Sequence, residues 1–301
     1  MATARGVRLV FLRRPRQSTG DALGIKGSGS GRTATEGRER LGFLNRIACE
    51  MLTASPQMRL SIVIPAFNEA NTIEKVLDRI NDQVADFHEI VLVDDASVDA
   101  TAELVKKRAD SDPRIRLLRH SRNSGKTAAL RTGFAAVTGD LVVIQDADLE
   151  YDPADIPDLI APILDDRGDV SLGSRFMVKR AGRVLYYRHY LANKFLTFLN
   201  NILTDLNCTD VETGYKAMRA EIARRLIIES SGFGFEVEFI AKCKKAGYRL
   251  FEVPINYFGR TYEEGKKITF MDGLAAIYFI LKFNLFVSRE SSFRDGTENT
   301  G

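Results

Sequence analysis

The chain has 301 residues, 45% of them apolar, and a formal net charge of +3, which allows one large or two small domains with a real core. Residues 1–60 contain 11 Lys/Arg and 4 Asp/Glu, so the rest of the chain carries a net charge of −4, and this mildly acidic body argues against nucleic-acid binding. Three widely spaced cysteines exclude a disulfide framework or a zinc motif and indicate a reducing compartment.

The first part of the chain lacks apolar periodicity. Residues 1–57 are rich in Gly, Ser, Thr and Arg, a composition that buries too little surface to offset the entropy of ordering. We therefore predict a disordered basic N-terminal extension over 1–57, with at most a short helix near 39–53. A folded domain is expected over 58–288 and a flexible C-terminal tail over 289–301.

From Leu60 onward, short apolar strands alternate with segments of helical spacing. Strands without polar alternation, each followed by a helix, predict an α/β fold in which helices cover both faces of a Rossmann-like, mostly parallel sheet. Such sheets bind ligands beyond the carboxyl ends of their strands. The predicted units, in chain order, are LSIVIPAFNE with ANTIEKVLDRINDQV, EIVLVDDAS with DATAELVKKRAD, IRLLRH with GKTAALRTGFAAVTG, DLVVIQDAD with PADIPDLIAPILDD, and the strand DVSLGSRF.

The pattern is looser after Phe176. The predicted elements are a long aromatic-rich helix over 183–206, helices in RAEIARRLII and GFEVEFIAKCKKAG, a strand in RLFEVPINYFGR, and a last helix over 269–287. The helices 183–206 and 269–287 either complete the core or lie in a membrane interface. No transmembrane helix is predicted, because the apolar run Leu274–Leu281 is far shorter than the roughly 20 residues that a span needs.

The stretch LVVIQDADLEYDP runs from an apolar strand directly into Asp146, Asp148 and Glu150. Residues two apart on an extended segment point the same way, and paired carboxylates suit Mg²⁺ or Mn²⁺ completed by phosphate oxygens. Ala147 between them would leave room for a ligand. A helix cap set by Asp152 and nearby acids is the alternative explanation.

More acids end the first two strands on the same predicted edge. Glu69 follows the first strand, where it either serves a ligand or favours the next helix dipole. Asp94 and Asp95 follow the second strand and, being adjacent, face opposite ways, so one of them is expected to serve the ligand.

Lys126, in NSGKTAALRTG, is either a cation near the donor site or a surface charge at a helix start. A phosphate-binding P-loop would need glycine at position 120, which is His120. No G-x-G-x-x-G follows the first strand, so a dinucleotide dehydrogenase is unsupported. Surface or packing roles are expected for His88, His120 and His189.

Taken together, these motifs resemble a known family. VIPAFNEANTI, VLVDDASVDAT, RNSGKTAALRTGF and VIQDADLEYDP resemble successive motifs of family 2 glycosyltransferases with the GT-A fold. GSRF, TDVETGYKAMR, GFGFEVEF and VPINYFGRTYEEGKKI resemble the polyprenyl-phosphate branch, which includes dolichyl-phosphate mannose synthases. The resemblance covers about residues 59–285. Ala96 and Thr127 replace glycines that are frequent in the family, and the absence of tryptophan disfavours a processive polysaccharide synthase with its Gln-x-x-Arg-Trp motif.

The resemblance implies a role for each matching residue. It assigns contacts with the nucleotide base and ribose to Pro65, Phe67, Glu69 and Asp95, and binding of the metal and diphosphate to Asp146, Asp148 and Glu150. It assigns a phosphate contact to Arg175 and binding of the acceptor phosphate to Arg188. Arg260 and Lys266 would close over the diphosphate.

The implied function is metal-dependent, inverting transfer of a sugar from a nucleotide-diphosphate sugar to a polyprenyl or dolichyl-type phosphate. The enzyme would be cytoplasmic and peripheral at the cytoplasmic membrane face, attached directly or through a membrane partner subunit. The alternatives are a family 2 enzyme with another glycan or lipid acceptor, a nucleotidyltransferase, and a non-catalytic sugar-nucleotide-binding protein.

Overall fold

The computed structural model describes residues 58–84, 86–177, 186–260, 263 and 270–295. The predicted N-terminal extension, with its short helix near 39–53, and Lys266 lie outside these residues. The strands are β1 (Leu60–Ala66), β2 (Glu89–Asp94), β3 (Ile115–Arg119), β4 (Leu141–Ile144), β5 (Val170–Ser174), β6 (Lys216–Arg219) and β7 (Leu250–Pro254). The helices are α1 (Ile73–Gln83), α2 (Thr101–Ser111), α3 (Lys126–Ala136), α4 (Ile156–Leu164), α5 (Tyr187–Thr204), α6 (Ala220–Arg225), α7 (Phe235–Ala246) and α8 (Phe270–Leu281), which continues as a π-helical turn over Lys282–Phe286.

The strands form one 7-stranded sheet in the order β3-β2-β1-β4-β6-β5-β7. Strands β3, β2, β1 and β4 pair in parallel, and β5 pairs in parallel with β7. The sheet is mixed rather than uniform because β6 runs antiparallel to both of its neighbours. The predicted α/β fold with a mostly parallel sheet is thus confirmed, but β6 was not predicted: its sequence, KAMR, is short and has charged residues at both ends.

Alternate residues of the central strands face two separate cores. Val63 and Val142 face a core built with α3, α5, α6, α7 and α8, whereas Ile62 and Val143 face a core built with α1, α2 and α4. This alternation follows from the period of two along a strand. Burial on both faces is the reason that these strands are apolar throughout.

The C-terminal part differs from the sequence prediction in two places. Helix α6 ends at Arg225, well before the end of RAEIARRLII, because Leu226 is extended and pairs with Phe293 in an isolated antiparallel bridge. Phe293 is buried in the core, and Arg294 donates its backbone N–H to the Arg225 carbonyl at 2.8 Å. Ser292 and Phe293, which lie in the segment that the sequence analysis assigned to a flexible tail, therefore pack on the domain.

Helices α5 and α8 each have a buried and an exposed face. On α5 the buried face includes Leu196 and Asn200, and on α8 it includes Ala276 and Ile280. Within the described residues, no helix combines the length and the apolarity that crossing a bilayer requires. The exposed faces carry large apolar side chains: Tyr187, Tyr190, Leu191, Phe195, Phe198 and Ile202 on α5, and Met271, Leu274, Tyr278, Leu281, Leu285 and Phe286 on α8 and its π-helical turn.

Candidate active site

The carboxyl ends of β1, β2 and β4 meet at one edge of the sheet, because these strands are adjacent and parallel. Each is followed by a turn that contains a non-glycine residue in the left-handed region: Asn68 at φ 56°, Ala96 at φ 61° and Leu149 at φ 65°. This conformation costs an L-residue about 1 kcal/mol or more, and such strain concentrates at functional sites.

Four carboxylates lie along this edge, Glu69, Asp146, Asp148 and Glu150, and are here called the acid rim. Arg260, which follows β7, contacts three of them: its guanidinium lies 2.7 Å from Asp148, 3.5 Å from Glu150 and 3.7 Å from Glu69. The structure thus brings together acids that the sequence placed after two different strands. Burial, followed by repulsion from Asp146 and Glu150, raises the pKa of Asp148 to about 7 even with Arg260 beside it.

The fourth acid, Asp146, pairs with Lys126. The Lys126 ammonium at the start of α3 lies 2.8 Å from Asp146 and 3.8 Å from Glu236 of α7. Burial by itself would lower the pKa of Lys126, but the charges of Asp146 and Glu236 outweigh it and raise that pKa. Lys126 thus forms ion pairs at the acid rim, and its role as a cation at the donor site stays a prediction.

Gly214 allows this pair to form. A Cβ at position 214 would lie 2.8 Å from a carboxylate oxygen of Asp146 and 3.1 Å from the Lys126 ammonium. Both Gly214 and Glu236 lie in motifs that carry the family resemblance, TDVETGYKAMR and GFGFEVEF, which is the signal that could have identified them. The side chain of Ala147 packs into the core below the rim, so any contact of Ala147 with a ligand would come from its backbone.

The acid rim suits a divalent cation, since Asp146 and Asp148 offer the hard oxygen ligands that Mg²⁺ and Mn²⁺ prefer. Lys126 and Arg260 supply positive charge to these same two aspartates. In the part of the chain that the structure describes, no group of three or more His, Cys, Asp or Glu residues could hold a metal ion by itself. Asp146 and Asp148 would leave coordination positions of such an ion open to other oxygens, such as those of a phosphate.

A comparison with protein-family models identifies the chain. The model for glycosyl transferase family 2 matches residues 61–227, more than half of the sequence. The chain is a family 2 glycosyltransferase. The matched range runs from the second residue of β1 through β6 and includes the whole acid rim.

Curated relatives of this glycosyltransferase agree with that assignment. It is 31% identical to an undecaprenyl-phosphate mannosyltransferase of Micrococcus luteus, over 69% of this chain and 87% of the relative. It is 29% identical to a dolichol-phosphate mannosyltransferase of Pyrococcus furiosus, over 78% of this chain and 67% of the relative. With a polyprenol monophosphomannose synthase of Mycolicibacterium smegmatis it shares 26% identity, over 69% and 80% of the two chains.

Among solved structures, the fold is similar to glucosyl-3-phosphoglycerate synthase of Mycobacterium tuberculosis. That enzyme was crystallised with Mn²⁺, uridine diphosphate and glucosyl-3-phosphoglycerate, and it matches with a TM-score of 0.59 at 22% identity, over 77% of this chain and 82% of the other. The predicted GT-A fold is confirmed.

Arg175 of the glycosyltransferase forms a two-point ion pair with Asp210. Its Nε and Nη2 lie 2.7 and 2.8 Å from the two Asp210 oxygens, and Asn193 of α5 donates to the same carboxylate at 3.1 Å. The guanidinium also lies 5.2 Å from the centre of the Tyr257 ring, whose hydroxyl donates to Glu150. Arg175 thus reaches the acid rim through Tyr257. Asp210 and Tyr257 had no role in the sequence analysis, although both lie in its quoted motifs.

The second-strand acid, Asp95, is buried and organises the start of α3. It accepts backbone N–H bonds from Ser124 at 3.0 Å and Gly125 at 2.6 Å, and a ring nitrogen of His120 lies 2.6 Å away. The neighbouring Asp94 pairs with Arg119 at 3.0 Å, so the two acids have different partners, and the ligand role expected for one of them stays a prediction. His120, expected to have a surface or packing role, links Asp95 to α3.

The remaining predicted residues lie around the same edge or beyond it. Pro65 pairs with Val93 inside the sheet, and Phe67 is half-buried in the turn that follows β1. Arg188 lies in the first turn of α5, with its guanidinium 5.9 Å from the centre of the Tyr186 ring. Their predicted ligand roles stay predictions.

Proposed function

We propose that this glycosyltransferase moves a sugar from a nucleotide-diphosphate sugar to a polyprenyl-type phosphate, with Mg²⁺ or Mn²⁺ and with inversion at the anomeric carbon. The observation that carries the proposal is the pairing of the two aspartates with two different cations, Lys126 on Asp146 and Arg260 on Asp148. If Asp146 and Asp148 held a divalent ion, Lys126 and Arg260 would be free to pair with the diphosphate of the donor.

The names of the relatives support the acceptor class. The Micrococcus, Pyrococcus and Mycolicibacterium proteins are named for transfer of mannose to undecaprenyl, dolichol and polyprenol phosphates. The solved enzyme with the similar fold was crystallised with Mn²⁺ and a uridine nucleotide, which supports a divalent ion with a nucleotide-sugar donor.

The chain's own residues would divide the work on the donor. Asp146 and Asp148 would hold the divalent ion, which stabilises the negative charge on the leaving diphosphate when bound. Lys126 and Arg260 would donate to phosphate oxygens, where a preformed cation stabilises charge that develops during bond cleavage. Glu69, Pro65 and Phe67 would contact the nucleoside at the β1 turn.

The acceptor would need no general base. The second pKa of a phosphate monoester is about 6, so the group is mostly doubly ionised at neutral pH. One of its oxygens can therefore form the new bond to the anomeric carbon directly. The bond from that carbon to the diphosphate oxygen breaks, and the electron pair leaves with the nucleoside diphosphate. Arg188 would pair with the incoming phosphate, since a guanidinium fork matches phosphate geometry.

The exposed faces of α5 and α8 would lie on the membrane and present the lipid. Their apolar residues follow helical spacing: positions 187, 191, 195, 198 and 202 on α5, and 271, 274, 278, 281 and 285 on α8 and its π-helical turn. Contiguous exposed apolar surface marks protein or membrane contact, and helices of this pattern lie in the plane of the interface. The enzyme would act at the cytoplasmic face, directly or with a membrane partner subunit.

The test is product analysis with the purified full-length protein. Radiolabelled uridine- and guanosine-diphosphate sugars are incubated with a short polyprenyl phosphate and Mg²⁺ or Mn²⁺. We expect a lipid-linked sugar of inverted configuration and free nucleoside diphosphate. Asp148→Asn should lower the transfer rate by at least about 100-fold. Asp82 is an exposed acid on α1, so Asp82→Asn should keep the wild-type rate.

Other outcomes would assign the protein differently. Release of pyrophosphate would indicate a nucleotidyltransferase, and donor binding without turnover would indicate a sugar-nucleotide-binding protein. Transfer only to a non-prenyl acceptor would contradict the proposed acceptor class.

A further inference from the structure

The segment that follows β7, residues 256–260, lies along the turn that follows β4 and is here called the exit segment. Asn256 donates its backbone N–H to Asp155 at 2.6 Å. Tyr257 pairs with Tyr151 in an isolated antiparallel bridge, and the backbone N–H of Phe258 donates to the Glu150 carbonyl at 2.9 Å. The exit segment is thus held to the rim by its backbone.

Glu150 uses both of its carboxylate oxygens to hold this segment. One oxygen accepts the Tyr257 hydroxyl at 2.8 Å, and the other accepts the Arg260 backbone N–H at 2.8 Å. Each bond occupies a lone pair that a metal ligand would direct at the ion, so Glu150 commits one lone pair of each oxygen to the exit segment.

The anchored segment brings the Arg260 side chain onto Asp148. Its Nη2 donates to Asp148 at 2.7 Å, so the cation covers an oxygen that a metal would need. The pairing is incomplete, because the buried Nε of Arg260 lies 3.5 Å from Glu150 but forms no hydrogen bond with any of the described residues. A buried donor without a partner is costly, which suits a side chain that later finds an acceptor such as phosphate.

We propose that Glu150 is a positioning residue rather than a metal ligand. It anchors the exit segment so that Arg260 neutralises Asp148 in the ligand-free enzyme, and a divalent cation must displace Arg260 to reach that carboxylate. This inference rests on the proposed function for the role of Asp148 but makes a separate claim about Glu150 and Arg260.

The two roles of Glu150 predict opposite effects on metal affinity. If Arg260 competes with the ion, the apparent affinity is reduced by the fraction of molecules in which Arg260 covers Asp148. Loosening the anchor should then strengthen metal binding without any change at the aspartates. If Glu150 is a ligand, removing its charge should weaken binding, and removing the Tyr257 hydroxyl should have no effect.

The test is a titration of the full-length protein with Mn²⁺ alone, followed by electron paramagnetic resonance, with no nucleotide present. Tyr257→Phe removes one hydrogen bond to Glu150 and keeps the ring, so we expect up to about tenfold tighter Mn²⁺ binding. Arg260→Ala should bind at least as tightly as Tyr257→Phe, and Glu150→Gln no more weakly than the wild type. Tyr248→Phe, remote from the rim at the end of α7, is the matched control and should leave the affinity unchanged.

Weaker binding by Glu150→Gln, together with unchanged binding by Tyr257→Phe, would overturn the inference. Asp148→Asn separates this failure from failure of the proposed function. If Asp148→Asn abolishes Mn²⁺ binding while Tyr257→Phe and Arg260→Ala have no effect, the metal role stands and the competition by Arg260 falls. If neither the wild type nor Arg260→Ala binds Mn²⁺ without nucleotide, the competition by Arg260 falls, and the product analysis decides the proposed function by itself.

Discussion

The charged forms of individual carboxylates in this enzyme are stabilised or destabilised by the groups around them. Asp148 lies among other acids, and its pKa rises to about 7. Burial by itself would also raise the pKa of Glu89, at the start of β2, but bonds from the Thr138 N–H, Ser61 and Arg116 outweigh it and lower that pKa to about 2. Glu89 therefore supports the fold, whereas the surroundings of Asp148 disfavour its charged form, as is usual at active sites.

Glu89 gives a prediction for the dependence of stability on pH. Its folded pKa of about 2 lies below the ordinary value of 4.5, so its stabilisation is fully present above pH 4.5 and is lost as the pH falls toward 2. Glu89→Gln should lower the free energy of unfolding at pH 7 by about 2 kcal/mol and flatten its pH dependence between 4.5 and 2. Urea unfolding at several pH values measures both effects.

The control for this prediction is Glu74→Gln, which changes an exposed acid on α1. It should change the free energy of unfolding by no more than about 0.5 kcal/mol. An equal pH dependence in the wild type and Glu89→Gln would contradict the role given to Glu89.

Arg188 gives a prediction for the acceptor. If its guanidinium binds the lipid phosphate, Arg188→Ala should raise the KM for polyprenyl phosphate by about tenfold or more, because charged hydrogen bonds contribute about 1.5–3 kcal/mol. The KM for the nucleotide sugar should change little. Steady-state kinetics with each substrate varied in turn tests this, and the reverse pattern would move Arg188 to the donor side.

Among the elements, helix α3 shows how closely helix and sheet pack. A Cβ on Gly133 would lie 2.4 Å from the Val63 side chain of β1. Gly133→Ala should therefore destabilise the protein by about 1–3 kcal/mol through overpacking, although alanine is otherwise the better helix former. Thermal unfolding measures the change.

Two comparisons make this prediction specific. Gly273→Ala on α8, where a Cβ would meet no atom within 4 Å, should be neutral or stabilising by up to about 1 kcal/mol. Val63→Ala in the Gly133→Ala background should recover part of the loss, since residues in contact are not additive. Equal effects at positions 133 and 273 would contradict the packing argument.

The elements that the sequence predicted well are those with long local patterns. The first four strand–helix units were readable because each strand is buried on both faces and each helix has one apolar face. Strand β6 was not readable, because KAMR has no apolar run and forms a strand only through pairing with β4 and β5. The predicted helix in RAEIARRLII was too long for a similar reason: Leu226 pairs with Phe293, which lies far along the chain.

For the whole molecule, the exposed face of α5 and α8 makes the clearest prediction. Phe198 on α5 is 62% exposed, and a charge there would have to enter the membrane interface. Phe198→Glu should reduce sedimentation with phosphatidylglycerol-containing vesicles by about tenfold, since burial of one such side chain contributes about 1.5–3 kcal/mol. The folded state should be unaffected, because an exposed side chain packs against little.

Leu164→Glu is the matched control for this face. Leu164 is 49% exposed at the end of α4, outside the two helices, and its substitution should leave vesicle binding unchanged. Equal loss in both variants, or no loss in Phe198→Glu, would contradict membrane contact through α5 and α8.

The sequence by itself determined the α/β class, the edge of the sheet that carries the acids, and the motifs of the family, because all three follow from local periodicity and from short runs of residues. Only the tertiary structure decided which charges meet: Arg260 reaches Asp148 across 112 positions, and Arg175 reaches Asp210 across 35. Packing of the whole chain sets such pairings, since side chains that are distant in sequence become neighbours only after the strands have taken their order in the sheet. The two cations on the acid rim, and the use of Glu150 as an anchor, follow from that order.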